Sequence, residues 1–322
     1  MKTIFLFPGY GAQFVGMGKE LYDEFRIVQE YFEEASNCIG HNFVKLCFAA
    51  SDVELGRMDQ AYPSLFLVSC AIAHLLKDQE IYPDCVAGYN IGEYAAIYTA
   101  KGFTFPDGLY LISKYVSFYQ QAFQQGAVSG LRISGLSLKM VKGLCELASD
   151  DVHAVYVAAS LSPQVHVVMG HADAVDRVRK AAGEKDAESM QEVGAEFGLH
   201  SSLMEQVVAQ YKIYMEKVDF KDLEVPLLAN VDAKPITLGA DVKETVINQT
   251  ILPIQWHKIL AAVQEYDLVV QVGPGTEIRD MVLALYPDKK VVAVNTKADI
   301  QELKQIINQP MDQQKGIDDA NI

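Results

Sequence analysis

The sequence predicts an α/β protein with a mainly parallel sheet and a smaller unit set inside it. Three observations carry this. Short apolar runs bounded by glycine or proline alternate with longer segments of helical period. A strand near residue 88 runs through a very tight turn straight into a helix. The stretch from about 126 to 193 changes rhythm to the order βαββαβ, which is the ferredoxin-like signature.

Thr3–Phe7 is the first strand, and it ends at Pro8-Gly9-Tyr10-Gly11. Lys19 to Phe32 is helical in composition. Pro63 stands where a helix can begin and is followed by the apolar run Ser64 to Leu76, a helix buried on most sides. Asp84–Gly88 is a short strand, Tyr89-Asn90-Ile91-Gly92 the turn, and Glu93-Tyr94-Ala95-Ala96 the start of the next helix. Pro106 opens a helix that reaches about Phe123. The inner unit then reads strand Val128–Ile133, helix Lys139–Ala148, strands His153–Ala159 and Val165–Met169, helix Ala172–Ala182 and strand Ser189–Val193, with boundaries near Gln125 and Ala195. The outer fold resumes with a helix over Ser201–Glu216 and a strand over Pro226–Asn230. Helices follow around Val242–Gln249 and His257–Gln264, then a strand over Leu268–Val272. Gly273-Pro274-Gly275 ends that strand, a helix runs to about Leu285, and Val291–Val294 is the last strand. The polar tail Gln309–Ile322 is expected to fray.

Composition narrows the function. Half of the 322 residues are apolar, enough for a large buried core, and 27 basic against 42 acidic residues leave a net charge of −15. Such a surface lacks the clustered lysine and arginine that neutralise a phosphate backbone, so nucleic acid is excluded as a partner. Bulk charge also disfavours an acidic protein partner unless a local basic rim, for example Lys114, Lys139, Lys142 and Lys180, overrides it. The five cysteines form no CxxC pair, the histidines show no metal-ligand spacing, and no dinucleotide or phosphate-binding loop occurs. A structural metal, a disulfide framework and a resident cofactor are therefore not expected, and a reducing cytoplasm is the simplest location. No apolar run approaches the length of a membrane span.

Several motifs in one order carry a resemblance. They are Phe7-Pro8-Gly9-Tyr10-Gly11-Ala12-Gln13 with Gly16-Met17-Gly18, then Gly88–Ala96, then His200-Ser201-Ser202-Leu203-Met204. Asn230-Val231-Asp232-Ala233-Lys234-Pro235, Pro253-Ile254-Gln255-Trp256 and Val272-Gly273-Pro274-Gly275 complete them. The chain resembles the malonyl-CoA:acyl-carrier-protein transacylases and the related acyltransferase domains of fatty-acid and polyketide synthases. The resemblance implies an α/β-hydrolase-like body (1–125 and 196–322) with a ferredoxin-like insert (126–195) and a cleft between them.

It also implies a site, and the chain departs from the pattern there. The family elbow reads G-H-S-x-G-E; here it reads Gly88-Tyr89-Asn90-Ile91-Gly92-Glu93, so Asn90 stands where the nucleophilic serine belongs. An amide nitrogen, its lone pair delocalised, is no nucleophile for acyl transfer. Aligning the helix after the elbow puts Tyr115 where the family arginine binds a malonyl carboxylate, and a phenol cannot neutralise that charge. The family asparagine and glutamine of the N-x-P-G-Q stretch correspond to Leu161 and Val165. His200 is kept as the base, which the family pattern would orient through a backbone carbonyl near Gly273. The oxyanion-hole N–H groups would come from Tyr10 and Ile91, and Tyr89, Tyr115, Tyr62 and Gln13 would line the substrate pocket. Glu93 reads as a charge favoured by the helix dipole.

Two functions from different classes follow. The first is a pseudoenzyme that binds an acyl carrier protein or a synthase component, with the phosphopantetheine of the carrier or of an acyl-CoA as ligand. The second is an active transacylase or acyl-carrier thioester hydrolase with non-standard chemistry at His200.

Overall fold

The computed structural model describes residues 1–124 and 126–308. The boundary at Gln125 and the expected fraying of Gln309–Ile322 lie outside the described residues.

In chain order the elements are β1 (Thr3–Phe7), α1 (Lys19–Glu24), α2 (Arg26–Ile39), α3 (Phe43–Ala49), α4 (Asp52–Gly56), α5 (Met58–Asp78), β2 (Cys85–Gly88), α6 (Gly92–Thr99) and α7 (Phe105–Ala122). The inner unit supplies β3 (Val128–Ser134), α8 (Leu138–Ala148), β4 (Val155–Ser162), β5 (Val165–His171), α9 (Ala172–Gly183) and β6 (Ser189–Val193). Then come α10 (Glu205–Met215), β7 (Leu227–Leu228), β8 (Pro235–Ile236), α11 (Gly239–Ile251), α12 (Trp256–Ala262), β9 (Leu268–Val272), α13 (Glu277–Leu285), β10 (Lys290–Val294) and α14 (Lys297–Asn308).

The large sheet has the order β10-β9-β1-β2-β7-β8. All its pairings are parallel except β7 with β8 at the edge. β1 and β9 lie inside this sheet and are buried at every position, as strands covered on both faces must be. The small sheet has the order β4-β5-β3-β6 and is antiparallel throughout. Its two faces bury different cores. Leu131, Ile133, Val155 and Val168 pack with Val141, Leu144, Val175 and Val178 of α8 and α9 in a core of their own. Val128, Ala159, Leu161, Val167 and Met169 join the core of the body. Alternation along each strand thus fastens the insert to the body by one face.

Several boundaries differ from the sequence reading, each for a local reason. The helix predicted over Lys19–Phe32 is two helices, broken at an extended Phe25, with the second running to Ile39. α5 begins at Met58, a turn before Pro63, because Met58, Ala61 and Tyr62 are buried and their packing outweighs the backbone hydrogen bond that proline cannot donate. The helix predicted from Ser201 begins at Glu205, after a 3-10 turn over Ser202–Met204. The strand over Pro226–Asn230 shrinks to Leu227–Leu228. α3, α4, β8 and α14 were not predicted. Asn42 and Ser51 cap α3 and α4 by accepting from the N–H groups of Lys45 and Glu54, a local signal the apolar pattern did not register.

Candidate active site

The elbow joins β2 to α6, and its glycines are a steric necessity. A Cβ on Gly88 would lie 2.1 Å from the Gly92 carbonyl carbon, and one on Gly92 would lie 2.4 Å from the Phe7 carbonyl oxygen. Strand, turn and helix approach too closely for any side chain. Asn90 at the apex has φ +55°, in the left-handed region that asparagine tolerates better than most residues.

Asn90 is fully engaged. Its Nδ2 donates to the Phe197 carbonyl at 2.8 Å and to His200 Nε2 at 2.9 Å, and its Oδ1 accepts from the Ile91 N–H at 2.6 Å. His200 Nδ1 donates to the Gln249 carbonyl at 2.5 Å, which fixes the tautomer and leaves Nε2 to accept. The orienting carbonyl is therefore that of Gln249 on α11, and not one near Gly273 as the sequence reading had it. Burial holds the His200 imidazole below the ordinary histidine range, against the opposing effect of the Gln249 and Phe197 carbonyls, so the ring is neutral at pH 7. Its own φ is +43°, the turn that aims the ring at the elbow.

The space beside this pair is nearly filled. A cavity of about 10 Å³ is lined by Tyr62, Asn90, Ile91, Tyr94, Tyr115, His200, Gln249 and Thr250. That volume admits about one water and no acyl group. Tyr115 stacks on Tyr62 with ring centroids 6.1 Å apart and planes 6° from parallel, and meets Tyr211 edge-on at 6.1 Å. The Tyr94 and Tyr211 hydroxyls are bonded at 3.0 Å. Burial raises the pKa of Tyr62, Tyr94 and Tyr115, so these phenols stay neutral and offer no charge to a carboxylate.

The turn that follows the insert is fastened over the elbow. Tyr119 donates to the Ala195 carbonyl at 2.7 Å, Tyr62 to Glu196 at 2.8 Å and Asn90 to Phe197 at 2.8 Å. Three successive carbonyls are each held by a side chain of the body.

Of the residues predicted for the site, Asn90, Ile91, His200, Tyr62 and Tyr115 meet around the small cavity. Tyr10, Tyr89 and Gln13 do not line it. Tyr89 packs on Trp256 and Phe197, at 5.1 and 6.2 Å between centroids. Gln13 accepts from the Gly11 N–H at 2.8 Å and shapes the first loop. The Tyr10 hydroxyl reaches the Gly56 carbonyl at 2.8 Å, and burial, with Glu196 nearby, pushes it up to about 12. The Tyr10 N–H has no acceptor among the described residues. Leu161 is buried in the interface between insert and body, while Val165 is half-buried there. Of the four lysines proposed as a basic rim, Lys142 lines a cavity shared with His200. Lys114 lies over the rings of Tyr110 and Tyr214 instead.

Glu93 is more than a dipole charge. It is fully buried, its Oε1 accepts from the Asn230 N–H at 2.7 Å, and burial lifts its pKa from 4.5 to about 8. Asn230 in turn donates to the Asn90 carbonyl at 3.3 Å and to Gln249 Oε1 at 3.4 Å. Glu93, Asn230, Gln249, His200 and Asn90 thus form one buried network. Sequence reasoning missed Gln249 and Phe197 because the contacts they make to His200 and Asn90 run through backbone carbonyls, which leave no mark on residue type. Among the described residues no three His, Cys, Asp or Glu side chains are placed to hold a metal, and no helix is long and apolar enough to cross a membrane.

Comparison with known proteins agrees with this architecture. The family model of the acyl transferase domain matches residues 4–297. The chain is 29% identical over 315 residues to the malonyl CoA-acyl carrier protein transacylase of Bacillus subtilis (strain 168), spanning 97% of this chain and 99% of that one. It is 34% identical over 278 residues to a second Bacillus subtilis malonyl CoA-acyl carrier protein transacylase, spanning 84% of this chain and 68% of that one. Among solved structures, a malonyl-transacylase in complex with its type II polyketide acyl-carrier protein superposes with a TM-score of 0.90 at 23% identity, covering 95% of this chain and all of that one. The parallel sheet and the antiparallel insert agree with these matches, and the chain belongs to the acyl transferase domain family.

Proposed function

We propose that this chain is an acyltransferase homologue that binds a carrier protein or synthase component without forming an acyl-enzyme. One observation carries the reading: the residue at the nucleophile position is an amide whose donors and acceptor are all spent inside the protein. Its Oδ1 occupies the Ile91 N–H, the donor that would otherwise hold an oxyanion, so half of that hole is filled from within. The neutral His200 has an acceptor nitrogen, but the Asn90 amide occupies it where a serine hydroxyl would give up its proton. Tyr115 removes the cation a malonyl carboxylate needs, and the tyrosines leave no volume for an acyl group.

An acyl carrier protein is the partner this reading favours, since the matched solved complex pairs a malonyl-transacylase with its carrier. In this reading the body (1–125 and 196–322) and the insert (126–195) form the two walls of the docking cleft, each with its own core. The test is titration calorimetry of the full chain with holo acyl carrier protein at physiological ionic strength. Saturable binding without release of thiol from an acylated carrier supports the proposal. Turnover of an acyl-carrier thioester would instead favour a hydrolase, and absence of binding would remove the carrier as partner.

A further inference from the structure

One acceptor aims His200 at the elbow. The Gln249 carbonyl, in the last turn of α11, takes the Nδ1 proton at 2.5 Å. A helix carbonyl is ordinarily engaged by the N–H four residues on, and it is open to a side chain only where that N–H is withheld. Four residues beyond Gln249 stands Pro253, which has no N–H to give.

The end of α11 is cut to this proline. The Leu252 N–H still bonds the Asn248 carbonyl at 2.8 Å. The next bond of the series would run from residue 253 to Gln249, and there the ladder stops. Leu252 is extended, with φ −118° and ψ 149°, the conformation that a following proline favours in its predecessor. The chain on either side is pinned. The Ile254 N–H donates to the Ala158 carbonyl of β4 and its own carbonyl accepts from the Ser160 N–H, both at 2.8 Å. The Gln255 N–H donates to the Asn230 carbonyl at 2.7 Å, and Asn230 Nδ2 holds the Gln249 side chain through its Oε1 at 3.4 Å.

Leaving that carbonyl to the imidazole decides which ring nitrogen carries the proton. With Nδ1 protonated, Nε2 accepts from Asn90 Nδ2 at 2.9 Å. With the Gln249 carbonyl taken by a backbone N–H, the proton would move to Nε2, where the Phe197 carbonyl lies at 3.2 Å, and the Asn90 amide would meet a donor in place of an acceptor.

We propose that Pro253 is a positioning residue for His200: by withholding a backbone N–H at the end of α11 it reserves the Gln249 carbonyl for the imidazole and fixes the tautomer that meets residue 90. The orientation of the ring does not depend on whether a carrier protein binds, so this proposal stands or falls independently of the one above.

Long-range proton–nitrogen NMR of the full chain, labelled with ¹⁵N-histidine, tests it. At pH 7 the parent should show His200 with a protonated Nδ1 and a bare Nε2. Pro253→Ala supplies the missing N–H, so the His200 proton should move to Nε2 and the new residue-253 amide should be protected from hydrogen exchange. Leu252→Ala, at an exposed position that keeps Pro253, should leave the imidazole pattern unchanged. If Pro253→Ala does not fold, Pro253→Val, which also carries an N–H and keeps an apolar side chain, takes its place with the same expected change. A protonated Nε2 in the parent, an unchanged imidazole pattern in the folded residue-253 variant, or the same tautomer change in Leu252→Ala would each overturn the proposal.

Discussion

At the scale of single residues, Asn90 is a structural group at the apex of the elbow. Its side chain makes three hydrogen bonds in a buried setting, each worth about 1 kcal/mol net and more when a partner is left orphaned. Asn90→Ala should therefore lower stability by about 2–4 kcal/mol in chemical denaturation, and it also loses the ease with which asparagine adopts φ +55°. Asn90→Ser alone should remain unacylated, because Tyr62, Tyr94 and Tyr115 still close the space. Asn90→Ser combined with Tyr115→Ala opens that space and should take an acetyl group from acetyl-CoA. An adduct on the single variant would show that the tyrosines yield. Glu93 gives a second residue-scale prediction. A folded-state pKa raised from 4.5 to about 8 means that the folded chain holds this proton more tightly than the unfolded chain. Its stabilising contribution is complete below pH 4.5 and is lost as pH rises through about 8. The difference in stability between Glu93→Gln and the parent should thus grow in favour of the glutamine variant across that window; a pH-independent difference would refute the buried-acid assignment.

At the scale of elements, the elbow and the fastened turn do separate work. Gly88→Ala puts a methyl 2.1 Å from the Gly92 backbone and should cost more than about 3 kcal/mol, enough to show as a large loss of melting temperature. The turn at Ala195–Phe197 is held by hydroxyls from α5 and α7. Replacing Tyr62 and Tyr119 with phenylalanine should release those carbonyls and speed amide exchange across residues 195–199, with little change in the small-sheet core. The sequence announced the elbow through Gly88 and Gly92, since only glycine fits where three backbones meet, and it announced the insert through the βαββαβ rhythm. It did not announce the fastening. Tyr62 and Tyr119 lie far from residues 195–197 in the chain, and their partners are carbonyls that any residue would present. The break at Phe25 and the early start of α5 were hidden for a related reason: long-range burial, and not local propensity, decides them.

At the scale of the whole molecule, the fold is that of an acyl transferase domain, and in the proposed reading its reactive centre has been rebuilt into core. In that reading Tyr89, Tyr115, Leu161 and Val165 stand where the family resemblance implies polar and charged groups, and the neutral imidazole of His200 serves packing and hydrogen bonding. Net charge acts at this scale too. With −15 overall, approach of an acidic carrier is opposed at long range, so raising ionic strength from low to physiological should speed association, the reverse of an oppositely charged pair. A fall in the association rate with salt would mean that lysines gathered at the docking face dominate. What separates a carrier-binding protein from an acyltransferase is the covalent acyl-enzyme. The most direct measurement is the intact mass of the full chain after incubation with malonyl-CoA and with acetyl-CoA. The unmodified mass is predicted in both cases, whereas a stable acyl adduct on any residue would contradict it.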